Sequence, residues 1–138
     1  MELEKFVFSE TDPNIKCRFV LEFPKEFGID SFAVQKVNRP KLINYEWQDF
    51  EIYLLDIIEP STSKSIAKMI DYCKDAKNTR EILFSFSILT LDARGIKLNT
   101  WKIDVAELVD VDFGTCDYEV DDFQIIKVTL KPLNCTLS

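Results

Sequence analysis

The chain has 138 residues, a formal net charge of −7 at pH 7 and no histidine. Its length fits one domain, expected over residues 1–138, and 46% hydrophobic residues with only 3 glycines predict a packed core and exclude collagen-like and low-complexity classes. The missing imidazole excludes His-dependent catalytic triads and zinc sites, and the acidic balance disfavours a conventional nucleic-acid-binding protein.

Residues 1–15 are predicted to form an N-terminal arm without a regular period. Phe6 and Phe8 give this arm an apolar patch that could dock on another surface. The first residues carry neither the cationic region nor the apolar region of a secretory signal, and no apolar run approaches the ~18 residues of a membrane span. We therefore expect no signal peptide and no membrane insertion.

Residues 16–60 are predicted to form strands with a protruding loop. From Lys16 to Phe23 apolar residues alternate with polar ones, which is typical of a half-buried strand. A second strand is expected from Asp30 to Val37, with Phe32 and Val34 on one face. Both strands should therefore pack one side against a core.

The protruding loop is expected where Asn38-Arg39-Pro40 interrupts the strand pattern. Proline has no N–H to donate and biases the residue before it toward an extended conformation. A long third strand is predicted from about Leu42 to Ile58. The apolar parity changes within it, which indicates a β-bulge near Asp49.

Residues 61–78 are predicted to form one amphipathic helix. Ser61-Thr62-Ser63 suits an N-cap, and the apolar residues that follow recur at helical spacing. These residues are Ile66, Met69, Ile70 and Cys73. We interpret the stripe as core, because the sheet needs a cover.

Residues 81–131 are predicted to form further strands, followed by a C-terminal tail at 132–138. The expected strands, in order, run from Ile82 to Leu89, from Ile96 to Val105, from Leu108 to Tyr118 and through Ile126 to Leu130. The predicted fold class is therefore mainly β, an antiparallel β-sandwich or half-barrel with one amphipathic helix.

No catalytic, cofactor-binding or metal-binding residue is predicted. The acidic run from Asp110 to Asp122 does not follow the EF-hand spacing, because Gly114 and Thr115 occupy positions that the motif assigns differently. We interpret it as a solvated acidic edge. The four cysteines, Cys17, Cys73, Cys116 and Cys135, form no Cys-x-x-Cys pair and are expected to be buried free thiols. Intersubunit disulfides are the alternative, suggested by Cys135 near the chain end.

Two stretches of sequence carry a resemblance to a known family. The first is Asn38-Arg39-Pro40 followed by Trp47-Gln48-Asp49-Phe50-Glu51-Ile52 and the helix through Ile70. The second is Leu91-Asp92-Ala93-Arg94-Gly95 with Trp101-Lys102-Ile103, then Val111-Asp112-Phe113-Gly114 with Asp117-Tyr118, then Ile126 to Leu130. Together with the order of elements, they resemble the tail tube protein of contractile-tailed bacteriophages and the related secretion-system tube proteins, over about residues 16–131.

The resemblance implies a structural virion protein that is not an enzyme and needs no cofactor. Six copies would join their sheets into a ring that completes a β-barrel, and rings would stack into a hexameric tail tube. The implied partners are further copies of the chain, the tail sheath, and baseplate or tube-initiator proteins. DNA would pass through an acidic lumen without specific binding during genome ejection into the bacterial host. The implied location is the virion tail, after assembly in the host cytoplasm.

The arm and the protruding loop supply the expected subunit interface, because aromatic and apolar residues are typical of permanent interfaces. The interface residues predicted are Phe6, Phe8, Arg39, Pro40, Tyr45 and Trp47.

Three alternatives remain open. A tube initiator, a baseplate ring or a secretion-system tube would assemble into the same kind of β-barrel ring. A monomeric β-sandwich that binds carbohydrate or peptide would need Trp47 or Trp101 exposed as a platform. An enzyme is the third alternative, although nothing in the sequence supplies its catalytic groups.

Overall fold

The computed structural model describes residues 18–59, 61–79 and 84–138. The arm with Phe6 and Phe8, together with Cys17 and Ile82, lies outside these residues. The strands are β1 (Phe19–Glu22), β2 (Val34–Val37), β3 (Leu42–Ile43), β4 (Glu46–Trp47), β5 (Phe50–Leu55), β6 (Phe84–Leu91), β7 (Lys97–Asp112) and β8 (Ile125–Leu137). The helix α1 spans Thr62–Thr79, and 3₁₀ turns occupy Lys25–Phe27 and Ser31–Ala33.

Six of the strands form one antiparallel sheet in the order β1-β6-β7-β8-β5-β2. The sheet curls into a nearly closed barrel in which β1 and β2 are the two edge strands. β3 and β4 form a separate two-stranded hairpin. The predicted class, mainly β with a half-closed barrel and one helix, is confirmed.

The core follows from the alternation of side chains along the central strands. Phe50, Ile52 and Leu54 of β5 are buried, as are their neighbours Ile126 and Val128 of β8. Because successive strand residues point to opposite faces, every second residue of β5 and of the first part of β8 enters the barrel. Each such side chain contributes about 1.5–3 kcal/mol when it leaves water.

Helix α1 packs its apolar stripe into this core, as the sequence predicts. Ile66 and Met69 are fully buried, and Cys73 is nearly so. At the first turn the Ser65 hydroxyl donates to the carbonyl of Gly28 at 3.1 Å, which ties the helix to the turn before β2. The expected helix, residues 61–78, differs from the observed one by a single residue at each end.

The single strand predicted from Leu42 to Ile58 is wrong, because this segment forms three short strands. Asn44 and Tyr45 adopt left-handed φ values of 50° and 64°, so the chain reverses between β3 and β4. The parity change near Asp49 is accordingly a break between β4 and β5 rather than a bulge. Two consecutive left-handed residues without glycine leave little sequence signal for such a turn.

The second predicted strand begins later than expected. Residues Ser31–Ala33 form a 3₁₀ turn, because the Asp30 carboxylate accepts the Phe32 N–H at 3.0 Å. Phe32 is therefore 88% exposed and does not share the buried face expected with Val34.

Two further strand boundaries differ from the prediction. The strands expected at Ile96–Val105 and Leu108–Tyr118 are one continuous strand, β7, and the expected tail at 132–138 belongs to β8. Pro132 lies opposite Ala106 between register irregularities, which let the ladder continue past a residue that donates no hydrogen bond.

Candidate assembly surfaces

The hairpin β3–β4, which we call the tip hairpin (residues 42–47), projects an aromatic side chain. Asn44 and Tyr45 fill the two turn positions, and both left-handed φ values match the turn type that suits a two-residue hairpin. The Tyr45 side chain is 96% exposed. A left-handed conformation strains a residue with a Cβ atom, so the turn holds this ring outward at a conformational cost.

The base of the tip hairpin is held firmly against the barrel. The rings of Trp47 and Trp101 meet edge to face, with centroids 6.2 Å apart and an angle of 81°. The Gln48 N–H donates to the Lys41 carbonyl at 2.8 Å and closes the hairpin. Both indoles are half-buried, so neither forms the open platform that a monomeric carbohydrate-binding module would need.

The described interface residues predicted from sequence lie on two neighbouring surfaces. Tyr45 and Trp47 form the top and base of the tip hairpin. Arg39 is exposed and Pro40 half-buried, and both lie in the segment that leads from β2 into the hairpin. Phe6 and Phe8 fall outside the described residues, so their interface role stays a prediction.

A groove lies between the two edge strands of the barrel. We call it the β1–β2 groove; it has a volume of about 1090 Å³ and is lined by β1, the Ser31 turn, β2 with its following loop, and β6. At one end the Ser31 hydroxyl donates to the Leu21 carbonyl at 3.0 Å, which bridges the gap. Among the described strands, β1 pairs only with β6 and β2 only with β5, so each has one edge without a neighbouring strand.

The β1–β2 groove is cationic although the chain as a whole is acidic. Its lining contains Arg18, Lys36 and Arg39, and no described lining residue is acidic. Apolar residues, including the half-buried Val34 and Val37, line much of the rest of the groove. Sequence reasoning missed this surface, because its cations are separated in the chain and only barrel closure brings them together.

The connection between β7 and β8, which we call the acidic loop (residues 113–124), is negatively charged, in contrast to the cationic groove. It carries the carboxylates Asp117, Glu119, Asp121 and Asp122. The Asp117 carbonyl accepts the Val120 N–H at 3.4 Å, so residues 117–120 form a turn. Tyr118 is fully exposed at this turn, and Phe123 is 80% exposed.

The outer face of the sheet beside β2 carries a polar cluster. The Tyr53 hydroxyl donates to the Glu51 carboxylate, and Lys127 Nζ lies 3.6 Å from the same carboxylate. These contacts, the tyrosine hydrogen bond foremost, lower the pKa of Glu51. Lys36 Nζ lies 5.1 Å from the centre of the Tyr53 ring. The cluster orders side chains on the surface that faces away from the core.

The three described cysteines are free and differ in accessibility. Cys73 and Cys135 are buried, and burial raises the pKa of each thiol to about 11. Cys116 is exposed in the acidic loop. The interpretation of buried free thiols therefore holds for Cys73 and Cys135. It is wrong for Cys116, and the expectation that Cys135 lies at a loose chain end is also wrong, because β8 extends past it.

Two kinds of feature are absent from the described residues. No group of three or more acidic or cysteine side chains among them is placed to hold a metal ion. No helix in this part of the chain combines the length and hydrophobicity needed to cross a membrane.

Comparison with known proteins adds the fold relationship. No family model matches the sequence, and no curated protein matches it either. Among solved structures, a chain of the PVC extracellular contractile injection system, in its extended sheath-tube complex, aligns with a TM-score of 0.62 and 13% identity, covering 100% of this chain and 98% of that one. A chain of the anti-feeding prophage baseplate aligns with a TM-score of 0.62 and 12% identity, covering 93% and 97%.

A more distant likeness is a type VI secretion system effector from Yersinia pestis, with a TM-score of 0.54, 12% identity, and 87% and 96% coverage. At these identities the likeness establishes the fold. The chain thus shares, over nearly its whole length, the fold of chains from contractile injection and type VI secretion systems, and the resemblance to a tail tube protein is confirmed at the level of the fold.

Proposed function

We propose that this protein is a structural subunit of a contractile tail, in which six copies form a ring and rings stack into a hollow tube. The observation that carries the proposal is the shared fold, end to end, with a chain of a sheath-tube complex. The nearly closed barrel supports it, because β1 and β2 each leave one edge without a neighbour among the described strands. An unpaired strand edge promotes aggregation of an isolated protein, whereas in an assembly it can pair with a neighbouring copy.

The tip hairpin and the segment before it supply the contacts between neighbouring subunits or rings. Tyr45 is held outward, and Arg39 and Pro40 flank the same surface. Tyrosine and arginine are enriched where interfaces bury side chains completely. The N-terminal arm, with Phe6 and Phe8, contributes further contacts in this proposal.

The net negative charge of the chain suits a tube through which DNA passes. Six copies, each with a net charge of −7, make a ring that repels phosphate, so DNA passes through the acidic lumen without binding. The partners are the tail sheath and a baseplate or tube-initiator protein. The protein acts without catalysis, within the virion tail, after assembly in the cytoplasm of the bacterial host.

A second candidate is a ring that terminates or initiates a tube rather than building its length. The similarity to a baseplate chain favours it as much as the similarity to the sheath-tube complex favours the main tube. A third candidate is a tube subunit of a secretion system. The similarity in fold to a type VI secretion system effector supports it.

Electron microscopy of the purified protein over a range of concentrations tests the proposal. Hollow filaments would support the main tube, and isolated six-fold rings would support an initiator or baseplate ring. Particles no larger than one chain at every concentration would contradict both.

A further inference from the structure

The acidic loop and the end of the β1–β2 groove that contains Arg18 and Arg39 lie at opposite ends of the barrel strands. In the sheet order the groove separates β2 from β1, while the acidic loop joins β7 and β8 at the centre of the sequence of strands. β1 runs parallel to β7 and β2 runs antiparallel to it, so Arg18 before β1 and Arg39 after β2 lie at the end where β7 begins. The acidic loop follows the last residue of β7, at the other end. One molecule therefore presents the two surfaces in opposite directions.

The two surfaces are complementary in charge. Three cationic side chains line the groove, namely Arg18, Lys36 and Arg39. Four carboxylates lie within residues 117–122 of the acidic loop. In a chain with a net charge of −7, a groove with three cationic and no described acidic lining residues attracts acidic segments such as this loop, and Lys36 also lies near Glu51 of the polar cluster.

The two surfaces are also complementary in shape and polarity. The turn at residues 117–120 projects the fully exposed Tyr118 ring between carboxylates. The groove lining also contains the half-buried apolar residues Val34 and Val37, together with Phe32, which is 88% exposed. A tyrosine in an apolar pocket with charged pairs around it is a typical arrangement at the centre of an interface.

We propose that the acidic loop of one copy docks in the β1–β2 groove of the next copy, with the Tyr118 ring between the groove walls and its carboxylates on Arg18, Lys36 and Arg39. Different patches meet on the two molecules, so the contact is head to tail, and repetition of such a contact closes into a ring when its rotation allows. The inference rests on the proposed self-assembly, and it identifies the two surfaces through which copies of the chain contact one another.

Charge reversal with complementation tests the contact. The groove variant is Arg18→Glu, Lys36→Glu, Arg39→Glu, and the loop variant is Asp117→Lys, Glu119→Lys, Asp121→Lys. A matched control is Lys64→Glu, Lys68→Glu, Lys74→Glu, which makes the same charge change on the exposed face of α1. Circular dichroism checks that every variant is folded, and sedimentation velocity reports its assembly.

Each reversed variant alone should require at least roughly tenfold more protein to assemble than the unmodified chain, because like charges then meet at every contact. An equimolar mixture of the two variants should recover assembly, since each loop then finds a groove of opposite charge. The helix control should assemble like the unmodified chain.

Three results would overturn the inference. The first is assembly of either variant at the concentration that suffices for the unmodified chain. The second is a mixture that assembles no better than its components. The third is an unmodified chain that sediments only as a monomer, and this result alone also removes the proposed function.

Discussion

Trp47 and Trp101 pack edge to face with their ring centroids 6.2 Å apart, and this contact joins the tip hairpin to the longest strand of the barrel. The hairpin has only two residues in each strand, so its backbone hydrogen bonds alone cannot hold it in place. Tryptophan packing at its base therefore gives the exposed Tyr45 a fixed position relative to the barrel.

The first prediction concerns this aromatic pair. A double-mutant cycle with Trp47→Leu and Trp101→Leu should show a coupling free energy of about 0.5–1.5 kcal/mol, because edge-to-face pairs contribute that much beyond burial. The measurement is chemical unfolding of the four proteins at a concentration where all are monomeric. Additive effects of the two substitutions would show that the rings do not support one another.

The second prediction separates stability from assembly at Tyr45. Replacing Tyr45 with glycine removes the strain of its 64° φ value, so the isolated chain should become more stable by about 0.5–1 kcal/mol after the entropy cost of glycine. Assembly should weaken, because the exposed ring is lost. Thermal unfolding and sedimentation measure the two effects separately.

The matched control is Asn44→Gly, which relieves the neighbouring left-handed residue and keeps the tyrosine ring. It should stabilise the chain without weakening assembly. Equal assembly of Asn44→Gly and Tyr45→Gly would remove Tyr45 from the interface.

The third prediction concerns Asp92, which stabilises the turn between β6 and β7. Its carboxylate accepts the backbone N–H groups of Ile96 at 2.9 Å and Arg94 at 2.8 Å, and these bonds, the Ile96 bond foremost, hold its pKa below the ordinary 3.8. A lowered folded pKa means that the stabilisation is complete above pH 3.8 and is lost as the pH falls through the folded value.

Asp92→Ala should therefore lower the melting temperature at pH 7, and its deficit relative to the unmodified chain should shrink in acid below pH 3.8. Asp49→Ala, at an exposed position with no described turn role, serves as the control and should change little. A deficit that stays constant down to pH 2 would argue against the carboxylate as its source.

The fourth prediction concerns thiol reactivity. With pKa values raised to about 11, the buried thiols of Cys73 and Cys135 should resist alkylation at pH 8, while exposed Cys116 reacts at once. Mass spectrometry of tryptic peptides after short exposure to iodoacetamide identifies each site. Modification of Cys135 as fast as Cys116 in the folded chain would contradict the burial described for β8.

The parts of the fold that sequence predicted correctly are those with a regular period. Alternation in Phe50, Ile52 and Leu54 and the helical spacing of Ile66 and Met69 match the observed core directly, because a strand or helix that buries one face must repeat its apolar residues. The similarity in element order then pointed to the correct fold.

The errors occur where a conformation depends on contacts distant in sequence. The turn at Asn44 and Tyr45 contains no glycine, so nothing local distinguishes it from a strand. Pro132 interrupts the pattern of β8, yet the irregular register opposite it in β7 lets the strand continue. Both outcomes depend on the partner strand rather than on the segment itself.

The assembly surfaces were predicted only in part. Tyr45 was predicted as one of the apolar and aromatic residues of the protruding loop, and the structure exposes it. The cationic groove was not predicted, because Arg18 and Lys36 become neighbours only after β1 and β2 meet across the barrel gap. No spacing within the sequence encodes that proximity.

Native mass spectrometry of the purified chain over rising concentration tests the central claim most directly, since it counts the copies in each particle. The account predicts a dominant species of six times 16.1 kDa, with whole-number multiples of it as rings stack. A single species of 16.1 kDa at every concentration, from a folded chain, would contradict it.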